Sequence, residues 1–366
     1  MERHAINGAE ILADGIDETV TETARERLSY PFTEEPAQGR AVDVAPGVKW
    51  LRMPLSGPLG FINVWAIAED GGYAIVDTGI GGPETVQTWH EAFKTSLGEQ
   101  PATRVIVTHM HPDHIGMAGW LTRKYDCRMW ITRLEFLTCR SLASDTGREA
   151  PEDALRFYRG AGWGAEALET YRARFGFFGK SVHALPASFR RLRDGDELSI
   201  GGRLWRIVVG CGHSPEHACL YCPELKLLIS GDQVLPRISS NVAVFPTEPD
   251  ADPLHDWLTS LAKIRREVPA DVLVLPAHNE PFHGLHARVD HLIRGHERAL
   301  ARLRKRIAEP QRVIDVFPVL FRRTIDAGLL GLATGETLAH LNYLLARGEA
   351  VRATDEHGVD WYRSAA

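Results

Sequence analysis

Short apolar runs alternate with amphipathic stretches along much of this 366-residue chain. Runs rich in Trp, Leu, Ile and Val at residues 49–51, 61–67, 73–76, 105–107 and 129–131, with turn residues between them, predict β-strands. From Pro83 a helix with one buried face is predicted, because apolar side chains recur at intervals of three and four: Val86, Trp89, Phe93 and Leu97. Strands separated by such helices predict a mixed α+β fold.

The last 80 or so residues have a different, more helical pattern. One apolar face predicts a long helix: Val289, Ile293, His296, Leu300, Leu303 and Ile307. Helical segments are predicted within 313–327, another helix at 336–347, and a short hairpin from strands at 350–353 and 359–362. We therefore predict two domains, residues 1–285 and residues 286–366, of which the second is small and mostly helical.

Composition and charge narrow the functional class. A hydrophobic content of 44% allows a large core, and five scattered cysteines give no disulfide framework, which predicts a reducing compartment. The N-terminus is polar without a signal-peptide pattern, and no run approaches membrane-spanning length. A net charge of -6 argues against a general nucleic-acid binder. We expect a cytoplasmic protein with a small-molecule substrate and no membrane contact, and a homodimer stays open.

The strongest candidate for chemistry directly follows the strand at 105–107. Three imidazoles and one carboxylate occur within residues 109–114, in the run Thr108-His109-Met110-His111-Pro112-Asp113-His114. Such groups are costly to crowd at the edge of a core unless a cation binds them, and these donors suit zinc. His109 and His111 point the same way in an extended conformation, whereas a helix beginning near Pro112 turns Asp113 and His114 toward a neighbouring point. The spacing predicts two adjacent metal ions.

This run resembles the signature of the metallo-β-lactamase-fold hydrolase superfamily. Four companion residues are present in the expected order in the rest of the chain, each close after an apolar run: Asp77 in AIVDTG, His213 in GCGHSPEH, Asp232 after LLISG and His278 after VLVLPA. The resemblance spans residues 77–278. It implies a four-layer αββα sandwich that gathers ligands from distant parts of the chain at one edge.

The resemblance also implies a role for each ligand residue. One metal would be held by His109, His111 and His213. The second metal would be held by Asp113, His114 and His278, and Asp232 would bridge the two. The cofactors implied are thus two divalent ions, zinc by default, with iron or manganese open.

Two further residues have alternative interpretations. Asp77 would hydrogen-bond the histidine loop and orient it, or it is only a strand-ending turn residue before Thr78. His217 lies four residues past His213 at the start of a strand. It either hydrogen-bonds a ligand or the substrate, or it is an ordinary strand-start histidine.

The ligand set indicates a branch of the superfamily and a reaction. Having both His114 and Asp232 makes the set similar to that of glyoxalase II, lactonases and nucleases, whereas some antibiotic-hydrolysing members have cysteine where Asp232 stands. Two metals would ionise a water, and the resulting metal-bound hydroxide would attack a carbonyl or phosphoryl centre. Asp232 would fix the metal pair and Asp113 would accept a hydrogen bond from the nucleophile, so these two are the predicted catalytic residues.

Residues 132–187 are expected to form a helical insertion in the sandwich. They are rich in aromatic side chains: Phe157, Tyr158, Trp163, Tyr171, Phe175, Phe177 and Phe178. Because the stretch follows the metal-binding helix by one strand, one interpretation is a lid whose arginines (156, 159, 172 and 174) face an anionic substrate tail. The alternative is a helical subdomain whose aromatics pack on each other and whose arginines are solvated.

The C-terminal helices and hairpin look like a winged-helix module, which some members of the superfamily carry. The recognition helix of such a module, residues 336–347, contains one basic residue, Arg347. A groove-reading helix normally presents several. We therefore favour a structural or dimerising role, or a wall of the active-site cleft, over nucleic-acid binding.

The leading hypothesis is a dinuclear metal-dependent hydrolase of an ester or thioester, including acyl and lactone substrates. The alternative is an RNA or DNA phosphodiesterase that uses the same metal set. A non-enzymatic or redox relative is disfavoured, because the ligand set is complete and no flavodoxin-like domain follows.

Overall fold

The apolar runs form the strands of two β-sheets in the computed structural model, which describes residues 28–365. Within these residues the first sheet has seven strands in chain order: β1 (Ala41–Ala45), β2 (Val48–Pro54), β3 (Phe61–Glu69), β4 (Gly72–Val76), β5 (Ala102–Ile106), β6 (Arg128–Ile131) and β7 (Arg190–Arg191). Neighbours are antiparallel from β1 to β4 and parallel from β4 to β7. The expectation of an N-terminus without a signal peptide concerns a segment outside the described residues.

The second sheet is built from the strands that follow the insertion. They are β8 (Glu197–Ile200), β9 (Arg203–Gly210), β10 (His217–Cys222), β11 (Leu227–Gly231), β12 (Leu273–Pro276) and β13 (Phe282–His283), in the spatial order β13-β12-β11-β10-β9-β8. Pairing is antiparallel from β8 to β11, parallel between β11 and β12, and antiparallel between β12 and β13. Strands β9, β11 and β12 therefore run in the same direction and end at the same edge.

The two sheets pack face to face across a core of large side chains. Trp50 of β2 stacks on its cross-strand partner Trp65 of β3, with ring centroids 6.2 Å apart. Both belong to one buried cluster with Trp205 and Ile207 of β9. Sequence alternation places these residues on the inner faces, because successive side chains of a strand point to opposite sides.

Helices cover the two outer faces. Helices α1 (Pro83–Thr95), α2 (Pro112–Ile115) and α3 (Ala118–Tyr125) lie against the first sheet, where Trp89 and Phe93 pack in one cluster with Val64. Helices α7 (Pro253–Glu267) and α8 (Leu285–Arg306) lie against the second sheet, where Trp257 packs in one cluster with Leu228. The predicted four-layer αββα sandwich is confirmed.

The helix predicted from Pro112 onward is interrupted after its first turn. The N–H of Met117 donates to the Thr78 hydroxyl at 3.1 Å and to the Gly79 carbonyl at 3.1 Å. These bonds to the loop after β4 separate α2 from α3. A tertiary hydrogen bond therefore overrides the helical pattern at this point.

The segment at 132–187 is helical, as predicted. It contains α4 (Arg133–Ser144), α5 (Glu152–Gly160), α6 (Ala165–Arg174) and a 3-10 turn at Phe178–Ser181. Tyr158 packs on Trp163 and Tyr171, with ring centroids 4.2 and 4.7 Å away. Some of its aromatics thus form a small core of their own, and the lid interpretation stays a prediction.

The C-terminal region shares its core with the second sheet. After α8 come a 3-10 turn (Val313–Val316), α9 (Phe317–Leu320), α10 (Leu330–Ala346) and the hairpin of β14 (Ala350–Thr354) and β15 (Asp360–Ser364), which confirms the predicted hairpin. Leu303, Leu341 and Tyr362 lie in the same buried cluster as Trp257. The boundary predicted at 285/286 coincides with the start of α8 and stays a prediction.

Helix α10 begins six residues earlier than the predicted start at residue 336. Gly331 and Gly335 disfavour a helix by propensity, but Gly335 packs closely against Ala243 and Val244. Tertiary packing therefore extends the helix. Among the described residues, no helix has the length and apolar character needed to span a bilayer.

Two adjacent residues of β9 test the sandwich. Trp205 is fully buried between the sheets, whereas Leu204 is 46% exposed. We expect Trp205→Ala to lower the free energy of unfolding by about 3–5 kcal/mol, because it leaves a cavity between the sheets. Leu204→Ala, the matched control, should change it by less than about 0.5 kcal/mol. Urea denaturation of both variants measures this, and similar losses for the two would contradict the assigned faces.

Candidate metal centre

The candidate ligands lie where strands of both sheets end at one edge. The loop 108–111 follows β5, and Asp77 follows its parallel neighbour β4. In the second sheet His213 follows β9, Asp232 follows β11 and His278 follows β12. A hydrogen bond from the Ala218 N–H to the Thr108 carbonyl, 2.8 Å long, joins the two sheets here. The sandwich topology thus converts five distant sequence segments into one site.

All seven residues with a predicted ligand role meet in two adjacent clusters. The first cluster contains His109, His111, His213 and Asp232. Nε2 of His109 lies 2.8 Å from Nδ1 of His111 and 3.3 Å from Nε2 of His213. Oδ2 of Asp232 lies 3.4 Å from Nε2 of His213.

The second cluster contains Asp113, His114 and His278. Oδ2 of Asp113 lies 3.5 Å from Nε2 of His114 and 3.3 Å from Nε2 of His278. Asp232 faces this cluster as well, because its Oδ1 lies 3.5 Å from Nε2 of His278. Its Oδ2 also lies 3.5 Å from Nε2 of His114, so the carboxylate contacts both clusters, which is the position that the bridging role requires.

The donor atoms fit divalent cations. Oδ2 of Asp113, both carboxylate oxygens of Asp232 and Nε2 of His114 and of His278 are buried and have no hydrogen-bond partner. Buried polar atoms are normally satisfied, so five such atoms aimed at one another indicate a place for positive charge rather than a packing defect. A tetrahedral zinc ion with bonds of ~2.0–2.1 Å separates its ligand atoms by roughly 3.3 Å, and the spacings here are close to that value.

Hydrogen bonds on the far side of three rings fix which nitrogen faces the clusters. Nδ1 of His213 lies 2.7 Å from the Asn241 carbonyl, and Nδ1 of His278 lies 3.4 Å from the Phe61 carbonyl. Nδ1 of His114 lies 2.8 Å from Oδ2 of Asp77. Because a carbonyl or carboxylate oxygen only accepts, each Nδ1 donates and each Nε2 faces the clusters, where a bound cation would take the place of a proton.

Asp77 makes the contacts expected of an orienting residue. Besides His114, it accepts the backbone N–H and the hydroxyl of Thr108, both at 2.8 Å. Asp77 itself has a left-handed backbone conformation (φ 59°), which is rare outside glycine. A turn residue without a further role has no need of three such bonds, so the contacts favour the orienting interpretation.

His217 lies directly beneath the clusters and joins neither. Its ring stacks on His109, with centroids 4.8 Å apart, and its Nε2 accepts the backbone N–H of Asp232 at 3.1 Å. Gly231 allows this approach, because a Cβ there would lie 2.5 Å from Nε2 of His217. The ring therefore contacts the ligand Asp232 through its backbone, as an orienting residue would.

Glu135 is a site residue that the sequence analysis missed. This fully buried carboxylate of α4 accepts the N–H of Met110 and the N–H of Glu216, both at 2.8 Å. It thereby joins the loop of His109 and His111 to the loop of His213. Burial raises the pKa of Glu135, and these bonds oppose the rise. No strand-end signal marks it, because Glu135 lies inside α4, four residues after the end of β6.

Two imidazoles of the first cluster, those of His109 and His111, are held in the form that binds metals. Burial, followed by the charge of His114, keeps the pKa of His109 well below its usual value. Burial and the neighbouring His213 lower the pKa of His111 to about 3. Both rings are therefore neutral at pH 7, as metal coordination requires.

A cavity of about 1780 Å³ opens onto the clusters. Its lining includes the candidate ligand His213 together with Met110 and Pro112. The insertion supplies one wall, and residues 243–256, which follow Asp232 along the chain, contribute to another.

Sequence comparison matches this architecture to a known family. The sequence profile of the metallo-beta-lactamase superfamily matches residues 57–278, and that of the metallo-beta-lactamase-like C-terminal domain matches residues 300–365. The chain belongs to the metallo-beta-lactamase superfamily. Metal-dependent hydrolysis, the catalytic class predicted from the sequence, is the class of this superfamily, so the enzyme prediction is confirmed at that level.

Solved structures of superfamily members agree with the whole fold. A beta-lactamase domain protein from Burkholderia ambifaria is 40% identical, with a TM-score of 0.86 over 94% of this chain and 100% of that one. A metallo-beta-lactamase family protein from Thermus thermophilus is 27% identical, with a TM-score of 0.73 over 88% of this chain and 100% of that one.

A curated relative adds an activity for comparison. A linear primary-alkylsulfatase from a Pseudomonas species is 27% identical over 248 residues, which is 63% of this chain and 43% of the relative. The chain spans less than half the length of the curated relatives it matches.

The bridging position of Asp232 gives a direct test. We expect Asp232→Ala to bind less metal than the unchanged protein and to lose on the order of 10²-fold or more in turnover, because both clusters lose the carboxylate that they share. Elemental analysis of purified protein measures the first effect. Asp271→Ala, which removes an exposed carboxylate paired with Lys226, is the control. Unchanged metal content in Asp232→Ala would remove it from the bridge.

Proposed function

We propose that this chain hydrolyses an ester or thioester, lactones included, whose acyl group is apolar. The proposal includes two divalent cations, zinc by default, one in each cluster, in a ligand set like that of glyoxalase II. Two observations support this set: both clusters consist of His and Asp donors, and the Asp232 carboxylate contacts both clusters.

The shape and lining of the cavity carry the proposal. Tyr158, Tyr171, Phe175, Phe177 and Phe178 of the insertion line it. Three lining residues are unusually exposed for large apolar side chains: Leu137, Phe177 and Phe245. A large concave site with aromatic walls and a polar end is typical of small-molecule binding, and exposed apolar side chains beside it favour an apolar ligand.

The charges around the cavity argue against a polyanionic substrate. Basic lining residues are few: Arg148, Arg174 and Lys180. Acidic residues outnumber them: Glu84, Asp145, Glu149, Asp153, Glu248, Asp252 and Asp256. Arg156, Arg159 and Arg172 of the insertion pair with acids of their own helices. An RNA or DNA strand requires a basic path for its phosphates, and this lining supplies no such path.

The C-terminal region supports the same conclusion. Most of α10, the helix that would read a groove in a winged-helix module, is buried against the rest of the protein. A recognition helix must present an exposed face to DNA. We therefore keep nucleic acid as the disfavoured substrate and favour a structural role for the C-terminal region, whose described residues pack on the second sheet and do not line the cavity.

Each site residue has a different role in the proposed reaction. Divalent cations bound in the clusters supply Lewis acidity toward a carbonyl oxygen and ionise water near neutral pH. Burial alone would raise the pKa of Asp113, but His114 and His278 lower it, so Asp113 is an ionised acceptor for a hydrogen bond from the attacking water. Asp232 holds the two clusters in one geometry. The scissile bond would lie beside the first cluster, next to the lining residues His213, Met110 and Pro112.

The cysteines support a reducing, cytoplasmic location as part of this proposal. All five are free thiols: Cys127, Cys139, Cys211, Cys219 and Cys222. Proteins of oxidising compartments more often use their cysteines in disulfides.

A substrate panel tests the proposal. Zinc-loaded protein is assayed with p-nitrophenyl esters of increasing acyl length, acyl-CoA thioesters, homoserine lactones, single-stranded RNA and dodecyl sulfate, the last because of the alkylsulfatase relative. We expect turnover of esters or thioesters, with KM falling as the acyl chain lengthens. Turnover should stop after chelation and return with zinc. Cleavage of RNA alone would overturn the proposal, and cleavage of dodecyl sulfate alone would replace the acyl ester by a sulfate ester.

Phe177 tests the apolar wall. Its ring is partly exposed at the cavity, with the Lys180 ammonium 3.9 Å from its centroid. We expect Phe177→Ala to raise KM for an octanoyl ester about tenfold, because roughly 55 Å² of lost apolar contact corresponds to about 1.4 kcal/mol. KM for an acetyl ester should stay unchanged. Leu204→Ala, an exposed site on β9 that does not line the cavity, is the control. Equal effects on both esters would contradict this wall assignment.

A further inference from the structure

The loop that follows β11 lacks regular structure and carries two groups of the metal centre. Residues 232–252 contain no helix or strand. Asp232 starts the loop, and the Asn241 carbonyl accepts the Nδ1 proton of His213 at 2.7 Å. Contacts that fix the conformation of this loop therefore also fix the orientation of the His213 ring.

The C-terminal helices hold the loop at several backbone positions. Arg288 of α8 donates to the carbonyls of Leu235 and Ile238, at 2.6 and 2.8 Å. Asn342 of α10 donates to the carbonyls of Pro249 and Ala251, at 3.0 and 2.9 Å. The loop therefore depends on α8 and α10 for its conformation.

The contact nearest to His213 is made by Glu336. Its side chain, buried in α10, accepts a hydrogen bond of 2.7 Å from Nδ2 of Asn241. Asn241 is itself buried. One residue thus bonds through its side chain to the C-terminal region and through its carbonyl to a ligand of the first cluster.

Burying a carboxyl group in the packed interior costs free energy that an apolar side chain would not cost. Burial raises the pKa of Glu336 to about 8, although the Asn241 hydrogen bond opposes the rise. At neutral pH the group is mostly a neutral acid that still accepts the amide hydrogen. Glutamine therefore preserves the acceptor, whereas leucine fills similar space and leaves the buried Asn241 amide without it.

Gly335 adds a second, independent contact beside it. Its carbonyl accepts the N–H of Val244 at 3.0 Å, and a Cβ at this position would lie 2.8 Å from Cβ of Ala243. A Cβ at Gly331, one helical turn earlier, would meet nothing within 4 Å. The helix thus approaches the loop closely at Gly335, next to Glu336, but not at Gly331.

We infer that Glu336 is a positioning residue of the metal centre: it holds Asn241 so that the Asn241 carbonyl orients His213 toward the first cluster. The C-terminal region then helps to orient a metal ligand, in addition to packing against the second sheet. The inference rests on the metal centre of the proposed function, but it does not depend on which substrate is cleaved.

Metal affinity tests the inference without any substrate. Chelator-stripped full-length variants are titrated with zinc against a chromophoric competitor, and the visible spectrum of the Co²⁺ form reports the geometry of the ligands. We expect Glu336→Leu to weaken zinc binding about 10- to 100-fold and to change the Co²⁺ spectrum. Glu336→Gln should remain close to the unchanged protein. Gly335→Ala should resemble Glu336→Leu, and Gly331→Ala should have no effect.

Leu344→Ala, which truncates a buried side chain of the same helix, is the control for a general loss of stability. This variant should unfold more easily yet bind zinc normally when folded. Wild-type zinc affinity and Co²⁺ spectrum in folded Glu336→Leu would overturn the inference, as would an equal loss of affinity in Leu344→Ala. If Gly335→Ala fails to fold, the two Glu336 variants decide. If zinc affinity and the Co²⁺ spectrum change as expected but no ester is cleaved, only the proposed substrate is rejected. If the protein without any substitution binds no zinc, both the inference and the proposed function are overturned.

Discussion

The shared position of the Asp232 carboxylate is the constraint on which this structure depends. Its two oxygens face two sets of imidazoles in a buried place with no hydrogen-bond donor aimed at them. An ionised carboxylate in such surroundings costs several kcal/mol unless positive charge compensates it. Divalent cations bound in the clusters would supply that charge, and their binding would explain why so many donors converge without satisfying one another.

Each layer of the sandwich contributes to the placement of the ligands. Asp77, at the end of β4, orients His114, and Glu135, from the insertion, joins the two ligand loops by two backbone hydrogen bonds. Asn241 orients His213 from a loop held by the C-terminal helices. The site therefore needs the insertion and the C-terminal region as well as the two sheets. The insertion also lines the cavity, so it can influence both metal geometry and substrate choice.

The strands, the first helix and the donor run at 109–114 could be predicted from local sequence, whereas the four-layer sandwich and the two ligand sets came from the resemblance to a known family. Two-residue alternation is visible without structure, and five of the seven ligand residues, all except Asp113 and His114 of α2, lie in loops that follow strands. Glu135 and Asn241 could not be predicted in this way, because they act through backbone groups that only the packed fold brings near. The early start of α10 and the break at Met117 had the same cause: contacts with distant loops overrode local propensity.

Apolar walls, an acid-rich rim and two donor clusters together favour a small ester or thioester over a polyanion. That conclusion depends on two cations sharing Asp232. Anomalous diffraction from zinc-loaded crystals at the zinc edge measures this most directly. The account predicts two peaks roughly 3.5–4 Å apart, one on each side of the Asp232 carboxylate. A single peak, or peaks remote from Asp232, would contradict it.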